Sequence, residues 1–210
     1  MTNPIRIPQN SGWWIISVLS FLPLALWFLA GSLAFKFSNS SLVFRSLGDI
    51  FGLCGMAMFS LVMIISAKLK FFEKFFKSSG ELYLAHHVFG GLTLCLLLFH
   101  PLFLACNYLS ISFRAAALFL LPGSNWALNF GIIGLFIMII ALVFTFYTKL
   151  KHQTWLFTHK FLELAFVFAF LHTFLIGGDL LLNLPLKIYL LVLGILAIII
   201  YFGSKIWSKT

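Results

Sequence analysis

Long apolar segments dominate this sequence, and they leave few folds open to it. Of the 210 residues, 62% are hydrophobic and only 9% are charged, unlike a soluble globular domain. A helix needs about 20 apolar residues to cross the hydrocarbon core of a bilayer. We therefore predict an all-α membrane protein, built as a bundle of six transmembrane helices. The predicted spans are residues 13–35, 47–66, 82–106, 127–147, 155–177 and 186–203.

The same segments bound the domain organisation. The spans use most of the chain, so we expect a single domain over residues 1–210, and we find no internal repeat. The first apolar run exceeds the ~7–15 residues of a signal-peptide core, so we interpret it as a retained helix. The longest connection, 107–125, is unusually apolar, and its second half has a helical pattern. We expect it to lie against the outer surface, where it can partly cover the bundle.

Basic residues are unevenly divided between the two faces of the predicted bundle. The net charge is +9, but ten of the fourteen basic residues fall on the face that holds both termini. Such an excess is typical of the cytoplasmic side of a membrane protein, so it predicts cytoplasmic termini and a lipid rather than a nucleic-acid partner. We expect an integral protein of the bacterial inner (plasma) membrane. The ten are Arg6, Lys68, Lys70, Lys74, Lys77, Lys149, Lys151, Lys160, Lys205 and Lys209; the opposite face has Lys36, Arg45, Arg114 and Lys187.

Four histidines lie inside two of the predicted spans, in pairs of nearly equal spacing. His86 and His100 are fourteen residues apart in the third span, and His159 and His172 are thirteen apart in the fifth. At about 1.5 Å per residue, each pair extends over roughly 20 Å of helix. The third and fifth spans run in the same direction, so the histidines fall at two matched depths. Ionisable side chains are costly in lipid and usually mark a functional site.

Two imidazoles at each depth favour haem over a bare metal ion. Zinc and copper sites usually collect three or four ligands at one point. Two axial imidazoles instead complete the coordination of a haem iron and favour electron transfer. We therefore predict two stacked haems with the four histidines as axial ligands. A proton or metal transporter that uses the same histidines is an alternative of a different class.

Two features of the histidine pattern stay open at the level of sequence. At about 100° per residue, thirteen residues do not return to the same face of an ideal helix. His159 and His172 therefore require tilt, altered winding or ligands that approach from different flanks. His87 lies thirteen residues before His100 and is the alternate to His86 as a ligand.

Charged residues near the histidines have two interpretations each. Lys160 on the inner side, and Arg114 or Arg45 on the outer side, can pair with haem propionates or reach lipid phosphates. Glu163 lies one turn after His159. Its carboxylate can accept a hydrogen bond from a ligand imidazole or another buried donor, or it can pair with Lys160 or another cation.

Glycines in the second and third spans indicate close approaches. Gly48 and Gly52 form a small-residue step that favours close helix packing. Gly90 and Gly91 follow His86 by one turn, where they can make room for a flat macrocycle or serve helix packing.

Three segments between about residues 45 and 180 carry a family resemblance. They are RSLGDIFGLCGMAMFSLVMIISAKL, HHVFGGLTLCLLLFHPLFL and TKLKHQTWLFTHKFLELAFVFAFLHTFLIGGD. They resemble the ferric reductase-like transmembrane domain of ferric reductases and NADPH oxidases. The resemblance implies two haems b, one held by His86 with His159 and the other by His100 with His172. It also implies electron transfer from cytosolic NAD(P)H, through FAD and the haems, to an acceptor outside.

Two departures from the family pattern shape the expected partners. His87 stands where the family often has a basic residue. The chain ends at Thr210, about where the family's flavin and nicotinamide domains would begin, and it has no Gly-rich nucleotide fingerprint. We therefore expect FAD and NAD(P)H on a separate cytosolic flavin reductase, or on a fused domain lost from this chain.

The expected acceptor on the outer face is ferric iron, oxygen or a periplasmic reductase. The small haem-binding membrane subunit of the periplasmic methionine sulfoxide reductase system is similar in layout. A subunit of that kind, fed by a flavin protein or a quinol, is the alternative within redox chemistry.

Overall fold

Helices form all the regular secondary structure of the part of the chain that the computed structural model describes, residues 8, 10–30, 33–67, 70–147 and 149–207. Six segments are long and apolar enough to cross a membrane, and α8 and α9 together make the fifth. The prediction of an all-α membrane protein with six spans is therefore confirmed. The helices are α1 Ser11–Phe28, α2 Leu33–Lys36, α3 Ser40–Ser66, α4 Lys70–Glu73, α5 Ser79–Tyr108, α6 Phe113–Phe119, α7 Trp126–Tyr147, α8 His152–His159, α9 Phe161–Leu175, α10 Asp179–Leu182 and α11 Leu184–Trp207.

The first two spans differ most from their predicted bounds. α1 ends at Phe28 rather than residue 35, and α3 begins at Ser40 rather than residue 47. The Lys36 ammonium lies 3.5 Å from the centre of the Trp27 ring and donates to the Trp27 carbonyl, so the chain has already turned back there. The Asn39 side chain then caps α3 by accepting the Leu42 N–H at 2.9 Å. These local interactions, rather than the length of the apolar segments, determine where α1 ends and where α3 begins.

α3 is the central helix of the bundle. In its most apolar window, 72% of the residues are buried inside the protein, against 28% or less in the other five spans. α3 packs most extensively against α5, and it also contacts α1, α9 and α11. The second large contact is between α7 and α9. The bundle therefore contains two antiparallel helix pairs, α3–α5 and α7–α9.

A proline in α1 fixes the contact between α1 and α11. Pro23 has no N–H, so it leaves the carbonyl of Leu19, four residues earlier, without its helical donor. The Tyr189 hydroxyl of α11 donates to this carbonyl at 2.5 Å. Nearer the start of α11, the Asn183 amide donates to the Leu26 carbonyl at 2.9 Å. Tyr189 of α11 and Asn183, the residue before α11, thus satisfy backbone carbonyls of α1.

Six crossings place the start of α1 and the end of α11 on the same side, which we call the terminal face. Here the Trp13 indole donates to the Glu81 carboxylate at 3.0 Å, which ties α1 to the start of α5. The predicted cytoplasmic location of this face remains a prediction. Of the basic residues on which it rests, Arg6, Lys68 and Lys209 lie outside the described residues.

Candidate functional site

The four membrane histidines meet in two pairs between α5 and the fifth span, with His159 on α8 and His172 on α9. The ring centres of His86 and His159 are 6.2 Å apart, and those of His100 and His172 are 6.1 Å apart. The ring planes cross at 61° and 67°. We call the first the terminal-face pair and the second the opposite-face pair. The predicted parallel course of the third and fifth spans brings these residues together as expected.

A break in the fifth span separates its two histidines. α8 ends at His159, Lys160 forms a turn, and α9 begins at Phe161. The Lys160 N–H is shared between the carbonyls of Leu156 and Phe157, as is common at the end of a helix. The two histidines therefore do not lie on one continuous ideal helix, which is what the calculated mismatch assumes.

Backbone carbonyls orient both rings of the opposite-face pair. Nδ1 of His100 lies 2.7 Å from the Gly48 oxygen, and Nδ1 of His172 lies 2.7 Å from the Ala127 oxygen. A carbonyl oxygen only accepts, so Nδ1 carries the proton in both rings. Nε2 of each ring is then the unprotonated nitrogen, which is the form that binds a metal. Such a hydrogen bond also holds the ring in place.

Two glycines lie directly against these rings. A Cβ at Gly52 would fall 2.5 Å from Nδ1 of His100, and a Cβ at Gly131 would fall 2.8 Å from Nδ1 of His172. The small-residue step at Gly48 and Gly52 thus does mark a close approach. At Gly52 the close neighbour is the imidazole of His100. The contact of Gly131 with His172 was not predicted from the sequence.

Gly90 and Gly91 do not lie in close contact with another helix, so helix packing does not explain them. A Cβ at Gly90 would lie 4.0 Å from its nearest neighbour, in Val62, and one at Gly91 would meet nothing within 4 Å. The space beside them leaves the other interpretation, room for a macrocycle, as a prediction.

A cavity of about 770 Å³ contains the opposite-face pair. Both Arg45 and Asp49 line it, with Nε of Arg45 at 3.9 Å from the Asp49 carboxylate. Arg114 lies on α6 with an exposed side chain and is not among the lining residues. Phe119, at the end of α6, does line the cavity and stacks on Tyr108. The 107–125 connection is therefore helical over Phe113–Phe119, in its middle rather than throughout its second half, and covers part of this cavity.

The terminal-face pair uses His86 rather than its neighbour. The His87 ring is exposed, and its Nδ1 donates to the Tyr83 carbonyl of the same helix at 2.8 Å. Trp155 stacks on His159 with ring centres 5.2 Å apart and planes inclined by 23°. Nδ1 of His159 is buried and has no hydrogen-bond partner among the residues that the structure describes. This pair therefore differs from the opposite-face pair, in which both Nδ1 atoms are bonded.

Glu163 pairs across to α11 and not with a ligand imidazole. Its Oε1 accepts the Tyr201 hydroxyl at 2.8 Å and forms an ion pair with Lys205. The carboxylate thus accepts a hydrogen bond from a partly buried donor other than a histidine, and it also pairs with a cation, which is Lys205 rather than Lys160. Lys160 is exposed and lines a shallow groove beside Glu163.

Replacing Lys205 with methionine should destabilise the protein by about 1–3 kcal/mol, because it removes a charged partner from a largely buried carboxylate. The side chain of Glu163 is 18% exposed. Thermal unfolding in detergent measures the change. The double variant Glu163→Gln/Lys205→Met should regain most of the loss, since no uncompensated charge remains. Equal losses in both variants would contradict this role of the pair.

The histidine pairs fit a haem by distance and by donor type. A metal–imidazole bond is about 2 Å long, so two imidazoles on opposite sides of one metal have ring centres roughly 6 Å apart. Both observed separations, 6.2 and 6.1 Å, agree with this value. Within the described residues no group of three or more His, Cys, Asp or Glu side chains is placed to hold a bare metal ion.

The comparison with protein families agrees with this arrangement. Residues 51–176 match the family described as ferric reductase like transmembrane component. The chain belongs to this family. The ferric reductase-like match includes all four paired histidines and both glycines that contact them. No curated protein matches the chain.

Proposed function

We propose that this chain carries electrons across the membrane by means of two haems b. His86 and His159 would hold one, and His100 and His172 the other. Membership of the ferric reductase-like family supports a membrane oxidoreductase component in general. The single observation that carries the proposal is the presence of two imidazole pairs with nearly equal separations, 6.2 and 6.1 Å, at the two ends of the same helices.

The residues of the chain supply ligation, orientation and an apolar surrounding. A bound bis-imidazole haem supplies one-electron redox chemistry. His100 and His172 have unprotonated Nε2 atoms that can bind a metal, because their Nδ1 atoms donate to backbone carbonyls. Aliphatic and aromatic side chains such as Met56, Phe59 and Met138 line the deep end of the opposite-face cavity, and they exclude water from it.

The direction and the partners follow from the expected topology. With the terminal face in the cytoplasm, the pair formed by His86 and His159 lies nearer the donor, a cytosolic flavin protein that carries FAD and oxidises NAD(P)H. The opposite-face cavity then lies nearer the acceptor, which is ferric iron, oxygen or a periplasmic reductase. The ion pair between Arg45 and Asp49 lines this cavity and supplies polar groups there.

Absorption spectroscopy of the purified protein tests the proposal. Protein expressed with ample haem supply should show the bands of low-spin haem b, at about two haems per chain. A colourless preparation that binds or moves metal ions would contradict the proposal and favour the transporter. High-spin haem alone would also contradict it, because each haem iron would then lack one of its two imidazoles.

A further inference from the structure

Each of the two antiparallel helix pairs holds a histidine ring against a glycine and bonds its Nδ1 to the carbonyl four residues before that glycine, an arrangement that we call a histidine seat. In α3–α5 the ring of His100 lies on Gly52, and its Nδ1 donates to the carbonyl of Gly48, four residues earlier. In α7–α9 the ring of His172 lies on Gly131, and its Nδ1 donates to the carbonyl four residues earlier. One turn deeper, Gly55 and Gly134 again meet the facing helix. The bundle thus contains a structural repeat that we did not predict from the sequence.

We propose that Gly52 and Gly131 are positioning residues that set the ring orientation of the opposite-face ligands. The inference rests on the proposed function, because it concerns ligands of a haem. Without a Cβ, each glycine lets an imidazole approach the neighbouring helix closely enough to reach a carbonyl one turn away. The repeated distance of 2.7 Å in both seats shows that the two rings are held in the same way.

Helix propensity and ring contact make opposite predictions for alanine at these positions. In an ordinary helix, alanine is favoured over glycine, so a glycine-to-alanine change stabilises it. At Gly52, however, the new methyl group would lie 2.5 Å from Nδ1 and 2.7 Å from Cε1 of His100. The ring has to move, and the hydrogen bond to the Gly48 carbonyl is lost with it. The ring of His100 then no longer has its present orientation.

Gly55 offers a matched control on the same helix and in the same interface. A Cβ there would lie 2.6 Å from Cδ2 of Leu97, which is as close as the contact at Gly52. The neighbour is the flexible end of a leucine rather than a ligand ring. Gly55→Ala therefore measures the effect of crowding α3 against α5 without touching a histidine.

The experiment compares Gly52→Ala, Gly131→Ala and Gly55→Ala by haem content and by the low-spin signals in electron paramagnetic resonance. We expect either of the first two variants to lose the low-spin signal of one haem, with the second haem unchanged, and Gly55→Ala to retain both. Native signals in Gly52→Ala would overturn the proposal. Equal loss in Gly52→Ala and Gly55→Ala would also overturn it, because the glycines would then serve only helix packing.

If the glycine variants do not accumulate in the membrane, a measurement on the unaltered protein tests the hydrogen bonds of the histidine rings instead. Infrared redox-difference spectra of protein with ¹⁵N-labelled histidine should contain ring bands of a ligand whose Nδ1–H is hydrogen-bonded to a carbonyl. Spectra with bands of unbonded Nδ1–H alone would overturn the proposal. Absence of any haem from the unaltered protein would instead reject the proposed function, so the two failures are distinguishable.

Discussion

Replacing His86 with alanine should leave the protein with one haem in place of two. The ring of His86 is the one that pairs with His159, at 6.2 Å between ring centres, whereas the neighbouring His87 ring is exposed. A haem with a single axial imidazole loses its low-spin state and much of its affinity. Haem content per chain and low-spin absorption should both fall by about half in this variant.

His87 provides a control of the same residue type at the adjacent position. His87→Ala should retain both haems, because the ring is exposed and donates to the Tyr83 carbonyl within its own helix. If this variant loses a haem while His86→Ala retains both, the assignment of the ligand is reversed. Loss of both haems in His86→Ala would show instead that the two sites do not load independently.

The stacking on His159 gives the terminal-face pair a different support. The opposite-face histidines each have a carbonyl partner, whereas within the described part of the chain the buried Nδ1 of His159 has none, and Trp155 stacks on its ring. A ring held by stacking can rotate within its plane more freely than one held by a hydrogen bond. The two pairs therefore have nearly equal separations but different constraints on the ligand rings.

Apolar pattern and histidine spacing were sufficient to predict the fold class and the six spans. Both depend on residue type and on regular helix geometry, which sequence carries directly. The predicted end of the first span and the predicted start of the second were wrong, because local contacts determine both. The turn after Phe28 depends on the contact of Lys36 with Trp27, and the start of α3 depends on the cap at Asn39. An apolar window does not register either interaction.

The surroundings of the histidines were less predictable, because they depend on which residues of different helices meet. Glu163 had several candidate partners in the sequence, and the register of α9 against α11 selects Lys205 and Tyr201. The histidine seat at Gly131 was missed for the same reason. Gly52 corresponds to Gly131 only when the α3–α5 pair is compared with the α7–α9 pair, and this comparison requires the helix partners to be known.

Electron transfer across a vesicle membrane should stop when His100 is replaced by alanine. The test uses the protein reconstituted in lipid vesicles, with dithionite outside and ferricyanide trapped inside. In unaltered protein we expect the trapped ferricyanide to be reduced, whichever way the molecules are inserted, because both ends of the bundle carry an imidazole pair. His100→Ala removes one ligand of the opposite-face pair and should lower the rate to that of protein-free vesicles.

The same assay shows whether electron transfer across the membrane requires both histidine pairs. His100→Ala leaves His86 and His159 in place, so the variant should still take up one haem and still be reduced by dithionite. A conduit that needs both sites loses transmembrane transfer while keeping this partial reduction. If the variant instead transfers electrons at the unaltered rate, the opposite-face pair lies outside the route. The cavity around His100 and His172 would then need another role, and its polar rim at Arg45 and Asp49 would be the place to look for one.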